Sequence, residues 1–355
     1  MKHNFSAGPA ILPQEVLQKA SEAASNFNQS GLSILEISHR SKDFIAVMDK
    51  SVQLVKDLLH LSDEYEVLFL SGGASTQFFM IPMNLLDTDQ KAGYVDSGVW
   101  ANKAIKEAKM FGQTDVVASS KDRNYCYIPK DFQISDDHRY LHITSNNTIY
   151  GTQVHHFPKV SVPLVADMSS DIFSRVFDVN AFDLIYAGAQ KNMGPAGTTL
   201  VIIKKSALGH VKRAIPSMLK YETHIDGGSM YNTPPVFPIY VSMLTMEWIL
   251  NNGGIAAIQK KNEVKSAALY AEIDRNPLFV GTADVEDRSH MNICFLLKDN
   301  SLESQFLDLC KSAGCVGLAG HRSVGGFRAS TYNAMSIESV QVLIDIMKDF
   351  EQKYG

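Results

Sequence analysis

The chain has 355 residues, of which 45% are hydrophobic and 20% charged, a length for two domains at roughly 100–200 residues each and enough to bury a core without disulfide or metal staples. Its 33 Lys and Arg against 38 Asp and Glu leave a net charge of −5, which argues against a general nucleic-acid surface but not against a small anion held by a few local Arg and His side chains. Cys126, Cys294, Cys310 and Cys315 are scattered with no C-x-x-C, the first ten residues lack an apolar signal core, and no run nears the ~18 apolar residues of a membrane helix; reduced thiols and a cytoplasmic location are expected.

Residues 1–12 read as a leader. Pro13 is placed to open a helix through Val16, Leu17 and Ala20. Phe44, Val47, Met48, Val52, Val55, Leu58 and Leu59 form one helical stripe with Ser41 as N-cap. Tyr65–Leu70, Ala92–Asp96, Tyr140–Thr144, Leu164–Met168, Phe182–Tyr186 and Thr198–Ile203 are short apolar runs rich in β-formers, the pattern of strands buried on both faces. A helix from Gln77 to Leu85 follows the first of them. A long helical stretch from Pro238 to Asn251 stops at Asn252-Gly253-Gly254, and another continues to about Asp274. Then come a strand (Asn292–Leu297), a helix (Leu302–Ser312), a strand (Gly326–Thr331) and a last helix from Ser336. The reading is α/β: a large unit, 13–255, with a mostly parallel sheet between helices, and a smaller C-terminal α/β unit, 256–355, with the leader against either.

Strand ends carry the candidate chemistry. Tyr186–Gly197 is a loop of small residues that presents one lysine, Lys191. An amine in such apolar surroundings loses hydration, its pKa falls and it becomes nucleophilic; alone, the same lysine reads rather as a solvated surface charge. Asp167 ends the preceding strand, and if the two strands are parallel neighbours both ends open on one sheet edge, where ligands of open α/β sheets bind. Pyridoxal phosphate needs this pair: an amine for its aldehyde and a carboxylate for its pyridine nitrogen. Otherwise Asp167 is a turn or cap residue. Leu70–Gln77 runs from a strand through Gly72-Gly73-Ala74-Ser75 into a helix start that can hold a phosphate on backbone N–H groups. It matches neither a P-loop nor G-x-G-x-x-G.

Trp100, just past another strand end, can stack on a flat cofactor or pack in the core. Thr148 can reach a ring hydroxyl. Ser38-His39-Arg40-Ser41 and Gly320–Ser330, which includes His321, Arg322 and Arg328, suit oxyanions if they are not solvated surface charge. His155 and His156 are adjacent and point apart on a strand, and no metal site is read.

In order along the chain, Asn4–Ala10, Ser38-His39-Arg40, Gly72–Gln77, Asp167-Met168-Ser169-Ser170, Tyr186–Gly197, Tyr231–Pro235 and Gly320–Ala334 resemble the class V aminotransferases of pyridoxal phosphate fold type I, in particular the phosphoserine aminotransferase group. The resemblance spans essentially the whole chain. It implies that Lys191 is the Schiff-base lysine and Asp167 the pyridine partner, with Trp100 on the ring and Thr148 on its hydroxyl. Ala74, Ser75 and Gln190 would hold the cofactor phosphate, joined by Asn232 and Thr233 from the second subunit of a homodimer. Many members have Arg where this chain has Ser75, so backbone N–H groups and hydroxyls would carry more of that load. Arg328 would take the substrate α-carboxylate. His39 and Arg40, with His321 and Arg322 from the other subunit, would take the distal phosphate or carboxylate. The implied reaction is O-phospho-L-serine + 2-oxoglutarate ⇌ 3-phosphooxypyruvate + L-glutamate, in serine biosynthesis, with 4-phosphohydroxythreonine of pyridoxine biosynthesis as a further possible substrate. Neither nucleic acid nor membrane is an expected partner.

Overall fold

Seven strands form the central sheet of a computed structural model that describes residues 2–355. They are β1 (Tyr65–Leu70), β2 (Lys91–Asp96), β3 (Gln113–Ser119), β4 (His138–Thr144), β5 (Leu164–Asp167), β6 (Leu184–Gly188) and β7 (Thr199–Lys204), in the spatial order β1-β7-β6-β5-β4-β2-β3. Only β7 runs antiparallel to its neighbours. Side chains alternate between the two faces. Phe69, Val95, Ile143, Ala166, Ile185 and Ile202 share one core with helices α1 (Gln14–Asn26), α2 (Lys42–Leu59) and the long helix after Pro235. Leu70, Tyr94, Tyr140, Val165, Tyr186 and Val201 share the other with α3 (Gly73–Leu85) and α4 (Val99–Ala108). The sheet between two helix layers is the α/β architecture expected.

Local signals act where the sequence shows them. Ser41 caps α2, its hydroxyl accepting the Phe44 N–H at 3.3 Å. Helix α3 starts at Gly73, four residues before the expected Gln77, because Gly72 turns the chain with φ 98° and the Thr76 hydroxyl donates back to the Gly72 carbonyl at 2.9 Å. A Cβ on Gly72 would lie 2.0 Å from that hydroxyl oxygen, so glycine is required there. Strand β6 is displaced from Phe182–Tyr186 to Leu184–Gly188, since Phe182 packs edge-on against Phe157 at 4.8 Å instead of pairing.

Beyond α5 (Val236–Asn251), α6 (Gly254–Arg275) contributes Ile255 and Ile258 to the first core and Leu269, Tyr270 and Ile273 to a third. That third core packs an antiparallel sheet of β8 (Phe279–Gly281), β9 (Asn292–Leu297) and β10 (Phe327–Ser330) under α7 (Glu303–Ser312) and α8 (Ile337–Tyr354). The leader joins this unit: His3–Asn4 pairs with Cys315–Val316 and Phe5 is fully buried. It then crosses to the lysine loop, where the Ala10 N–H donates to the Gln190 carbonyl at 2.9 Å. Among the described residues, no helix is long and apolar enough to cross a membrane.

Candidate active site

The C-terminal ends of β1, β2, β4, β5 and β6 open on one edge, and the segments leaving them enclose a cavity of about 330 Å³. Ala74 and Ser75 of α3, Trp100 of α4, Thr148, Asp167, Gln190, Lys191, His321 and Arg328 all line it. The parallel pairing of β5 with β6, which puts Asp167 opposite Tyr186, brings Asp167 and Lys191 together. The lysine loop is rigid: the Lys191 and Gly194 N–H groups both donate to the Ala189 carbonyl, at 2.7 and 2.8 Å, and the Gly188 N–H donates to Ser169 Oγ at 3.1 Å.

Lys191 is partly accessible from the cavity, yet the protein packed around its amine pushes its pKa down to about 8; the Asp167 charge opposes the fall and the Arg328 charge adds to it. Burial raises the Asp167 carboxyl above its ordinary value, against the Ser169 N–H that donates to Oδ1 at 2.9 Å and the nearby Lys191 charge. The pair thus holds an amine that is neutral in part at neutral pH beside a buried carboxylate. Lys191 Nζ also lies 5.9 Å from the Trp100 ring centroid. The Trp100 indole N–H donates to the Thr148 hydroxyl at 3.0 Å, and Arg328 Nη1 donates to the Thr148 carbonyl at 2.9 Å. Trp100, Thr148 and Arg328 are therefore locked into one wall, and the buried Arg328 Nε has no partner among the described residues.

A larger cavity, about 450 Å³, lies between Ile128–Phe132 and His155–Val160 and shares Thr144 with this one. It has no amine–carboxylate arrangement of the same kind: its Lys130 is paired with Glu286 and Asp287.

Five candidates stay out of the site cavity of their own chain. His39 is half-buried, and Arg40, Asn232, Thr233 and Arg322 are exposed. Asn232 borders a separate cavity of about 200 Å³ on the far side of Ser71-Gly72. His321, which the resemblance assigns to the second subunit, lines the cavity that holds the Lys191 of its own chain. Its loop leads into β10 and closes on itself, with the Gly320 N–H on the Gly326 carbonyl at 2.8 Å and the Val324 and Gly325 N–H groups on the His321 carbonyl at 2.8 and 2.9 Å. Ala7, Gly8, Phe78, Thr144, Asn146 and Ile149 also line the cavity and were not singled out from sequence. The Asn4–Ala10 segment was the one available signal for the first two.

A family model described as aminotransferase class-V matches residues 2–343. The chain is 63% identical over 353 residues to a phosphoserine aminotransferase of Flavobacterium johnsoniae, covering 99% of each. It is similar in structure to the phosphoserine aminotransferase of Bacillus circulans subsp. alkalophilus, with a TM-score of 0.98 at 46% identity and coverage of 100% and 99%. A pyridoxal phosphate-bound phosphoserine aminotransferase of Trichomonas vaginalis gives a TM-score of 0.93 at 36% identity, covering 98% of this chain and 100% of that one.

Proposed function

Since the chain belongs to the class V aminotransferase family, we propose that it moves an amino group between O-phospho-L-serine and 2-oxoglutarate, giving 3-phosphooxypyruvate and L-glutamate. It is a pyridoxal phosphate-dependent transaminase of the phosphoserine aminotransferase kind. The observation that carries the substrate reading is Arg328 and His321 on the same cavity as Lys191 and Asp167: a guanidinium and an imidazole donor for an acidic substrate, facing an amine–carboxylate pair.

The cavity residues suit the cofactor. The first-turn N–H groups of a helix have no intrahelical partner, and at Ala74-Ser75 they face the cavity side of a 13-residue helix, the place for a phosphate. The Thr144 hydroxyl is buried, unpartnered within the chain and on the cavity wall. Pyridoxal phosphate supplies an electron-accepting ring once its nitrogen is protonated. Asp167 holds that proton by its negative charge. Lys191 would supply the amine for the aldehyde carbon and, as a free neutral amine, the base for the proton at the substrate Cα, so one residue would serve as nucleophile and as base. Trp100 offers a stacking face, Thr148 a hydroxyl, Gln190 a further polar group for the phosphate, and the unpartnered Nε edge of Arg328 a fork for the α-carboxylate.

The same reading takes the chain as a homodimer with composite sites. Asn232 and Thr233 reach the cofactor phosphate, and His39 and Arg40 the distal phosphate or carboxylate, from the neighbouring copy. In support, these two pairs lie outside their own cavity, His39 Nε2 is buried without a partner, and Leu32, Leu35, Met218 and Tyr231 are exposed on the same or adjoining loops. We place the seam between a large unit, 13–255, and a small one, 256–355, and the enzyme in cytoplasmic serine biosynthesis, with 4-phosphohydroxythreonine as a second substrate to assay. A panel of amino donors with 2-oxoglutarate tests the reading. Phosphoserine should lead it, and a panel led by serine or alanine would overturn it.

A further inference from the structure

Beneath the site, on the α3 side of the sheet, lies a buried polar pair that the chemistry above does not use. Tyr186 is on β6, directly opposite Asp167 on β5. His142 is on β4, the other neighbour of β5, opposite Val165. Their side chains reach across β5 and meet, His142 Nε2 to Tyr186 Oη at 2.9 Å. Both residues are at most 2% exposed. The imidazole stacks on Tyr94, ring centroids 5.1 Å apart at 27°, and the Tyr94 hydroxyl lies 2.7 Å from that of Tyr140. Leaving Asp167 aside, the titratable groups around the pair are thus phenols.

We propose that Tyr186, held in place by His142, is a positioning residue for Asp167: its phenol donates a hydrogen bond that keeps the carboxylate anionic and the proton on the pyridine nitrogen of the cofactor. The proposal rests on the cofactor reading given above.

The proton order follows from the chemistry of the pair. Burial lowers the His142 pKa to about 3, so the ring is neutral at working pH and carries one N–H. Burial raises the Tyr186 phenol well above its ordinary value, and the negative charge of Asp167 on the neighbouring strand raises it further, so it keeps its proton. A single Tyr186 proton cannot serve both neighbours. With the His142 N–H on Nε2, it is donated to Tyr186 Oη, and the phenol proton is free for Asp167. His142 Nδ1, which has no partner among the described residues, is then a bare lone pair and not a stranded N–H. Removing the phenol donor makes the carboxylate more basic and draws the proton away from the ring nitrogen.

The test is ¹⁵N NMR of holoenzyme loaded with pyridoxal phosphate labelled at the ring nitrogen, together with steady-state kinetics. In Tyr186→Phe, which keeps the ring in place, the ¹⁵N resonance should move toward its deprotonated position. The kcat should fall about 5- to 30-fold while KM for the amino donor changes less than about twofold. His142→Leu should show part of the same shift and His142→Gln, which keeps a donor, should restore it, so the proposal stays testable if Tyr186→Phe folds poorly. A wild-type ¹⁵N resonance in folded Tyr186→Phe and in His142→Leu would overturn it. Failure of the wild-type chain to bind the labelled cofactor would instead overturn the cofactor reading.

Discussion

Lys191 Nζ lies 5.9 Å from the centre of the Trp100 ring, so the reactive amine and a broad stacking face look into the same cavity. One comes from the β6 end and the other from the first turn of α4, and neither depends on the other for its place. Lys191→Ala should therefore still bind pyridoxal phosphate through the wall and the α3 N-terminus while losing turnover. Asp167→Asn should keep the cofactor and lose several kcal/mol of barrier lowering, about 10²-fold or more in kcat. Absorbance of the purified variants, read with a glutamate-forming assay, checks both; near-wild-type transamination by Lys191→Ala would remove it from the mechanism.

The lowered pKa of Lys191 gives a pH signature. With a value near 8, about a tenth of the amine is neutral at pH 7, against less than a thousandth for an ordinary lysine. Covalent capture of pyridoxal phosphate by the cofactor-free chain should accelerate as pH rises and level off above about 8. Stopped-flow absorbance from pH 6 to 10 measures this, and a rate still climbing steeply at pH 10 would mean that the amine titrates as an exposed one.

Lys265 is buried without an acidic partner; its Nζ donates to the Thr331 and Tyr332 carbonyls at 3.0 and 2.8 Å, and burial lowers its pKa to about 7. Unfolded, the same lysine titrates near 10.5. Between those values the unfolded chain binds more protons, so this group's contribution to stability rises with pH from about 7 toward 10.5, and the burial penalty is fully present below 7. Lys265→Met leaves two buried carbonyls unpaired at ~1–3 kcal/mol each. Urea unfolding should show a loss in the variant that is larger at pH 9 than at pH 6; a gap that shrinks with pH would contradict the assignment.

Much of this was legible before the coordinates, and the limits have physical causes. Six strands of the large sheet declare themselves as apolar runs because both faces are buried, even β1 at one edge. Gln113–Ser119 does not, since an edge strand with Gln113, Asp115, Val116 and Ser119 exposed has a mixed pattern. The reversed direction of β7 was invisible too, because Thr199–Lys204 buries the same side chains whichever way it runs. Lys191 and Asp167 were readable because Asp167 ends one strand and Lys191 lies just past the next. Tyr186 and His142 were not: in strand positions they read as core, and their contact crosses an intervening strand.

The distal cations predict donor preference. Each charge-assisted hydrogen bond contributes ~1.5–3 kcal/mol, so serine, which loses at least two, should fall about 10²- to 10⁴-fold below phosphoserine in kcat/KM. His321→Ala should narrow that ratio, chiefly by lowering the phosphoserine value. Equal kcat/KM for the two donors in the wild-type chain would dismiss the phosphoserine assignment and leave the transaminase chemistry in place.

The composite site predicts complementation between two damaged chains. Lys191, Arg328 and His321 line one cavity of one chain, whereas Arg40 is exposed and outside it. If Arg40 serves the neighbouring copy, a heterodimer of a Lys191→Ala chain and an Arg40→Ala chain has one site with both lesions. Its other site combines the intact Lys191 of the Arg40→Ala chain with the intact Arg40 of its partner. Each homodimer alone should be nearly inactive with phosphoserine. Subunit exchange should restore up to about half of wild-type activity per heterodimer, less in a statistical mixture. If Arg40 instead serves its own chain, every site in the heterodimer carries one lesion and nothing returns. Differently tagged chains, co-purified through both tags, separate heterodimers from unmixed protein. No activity in that fraction would assign Arg40 to its own cavity and end the shared-site reading.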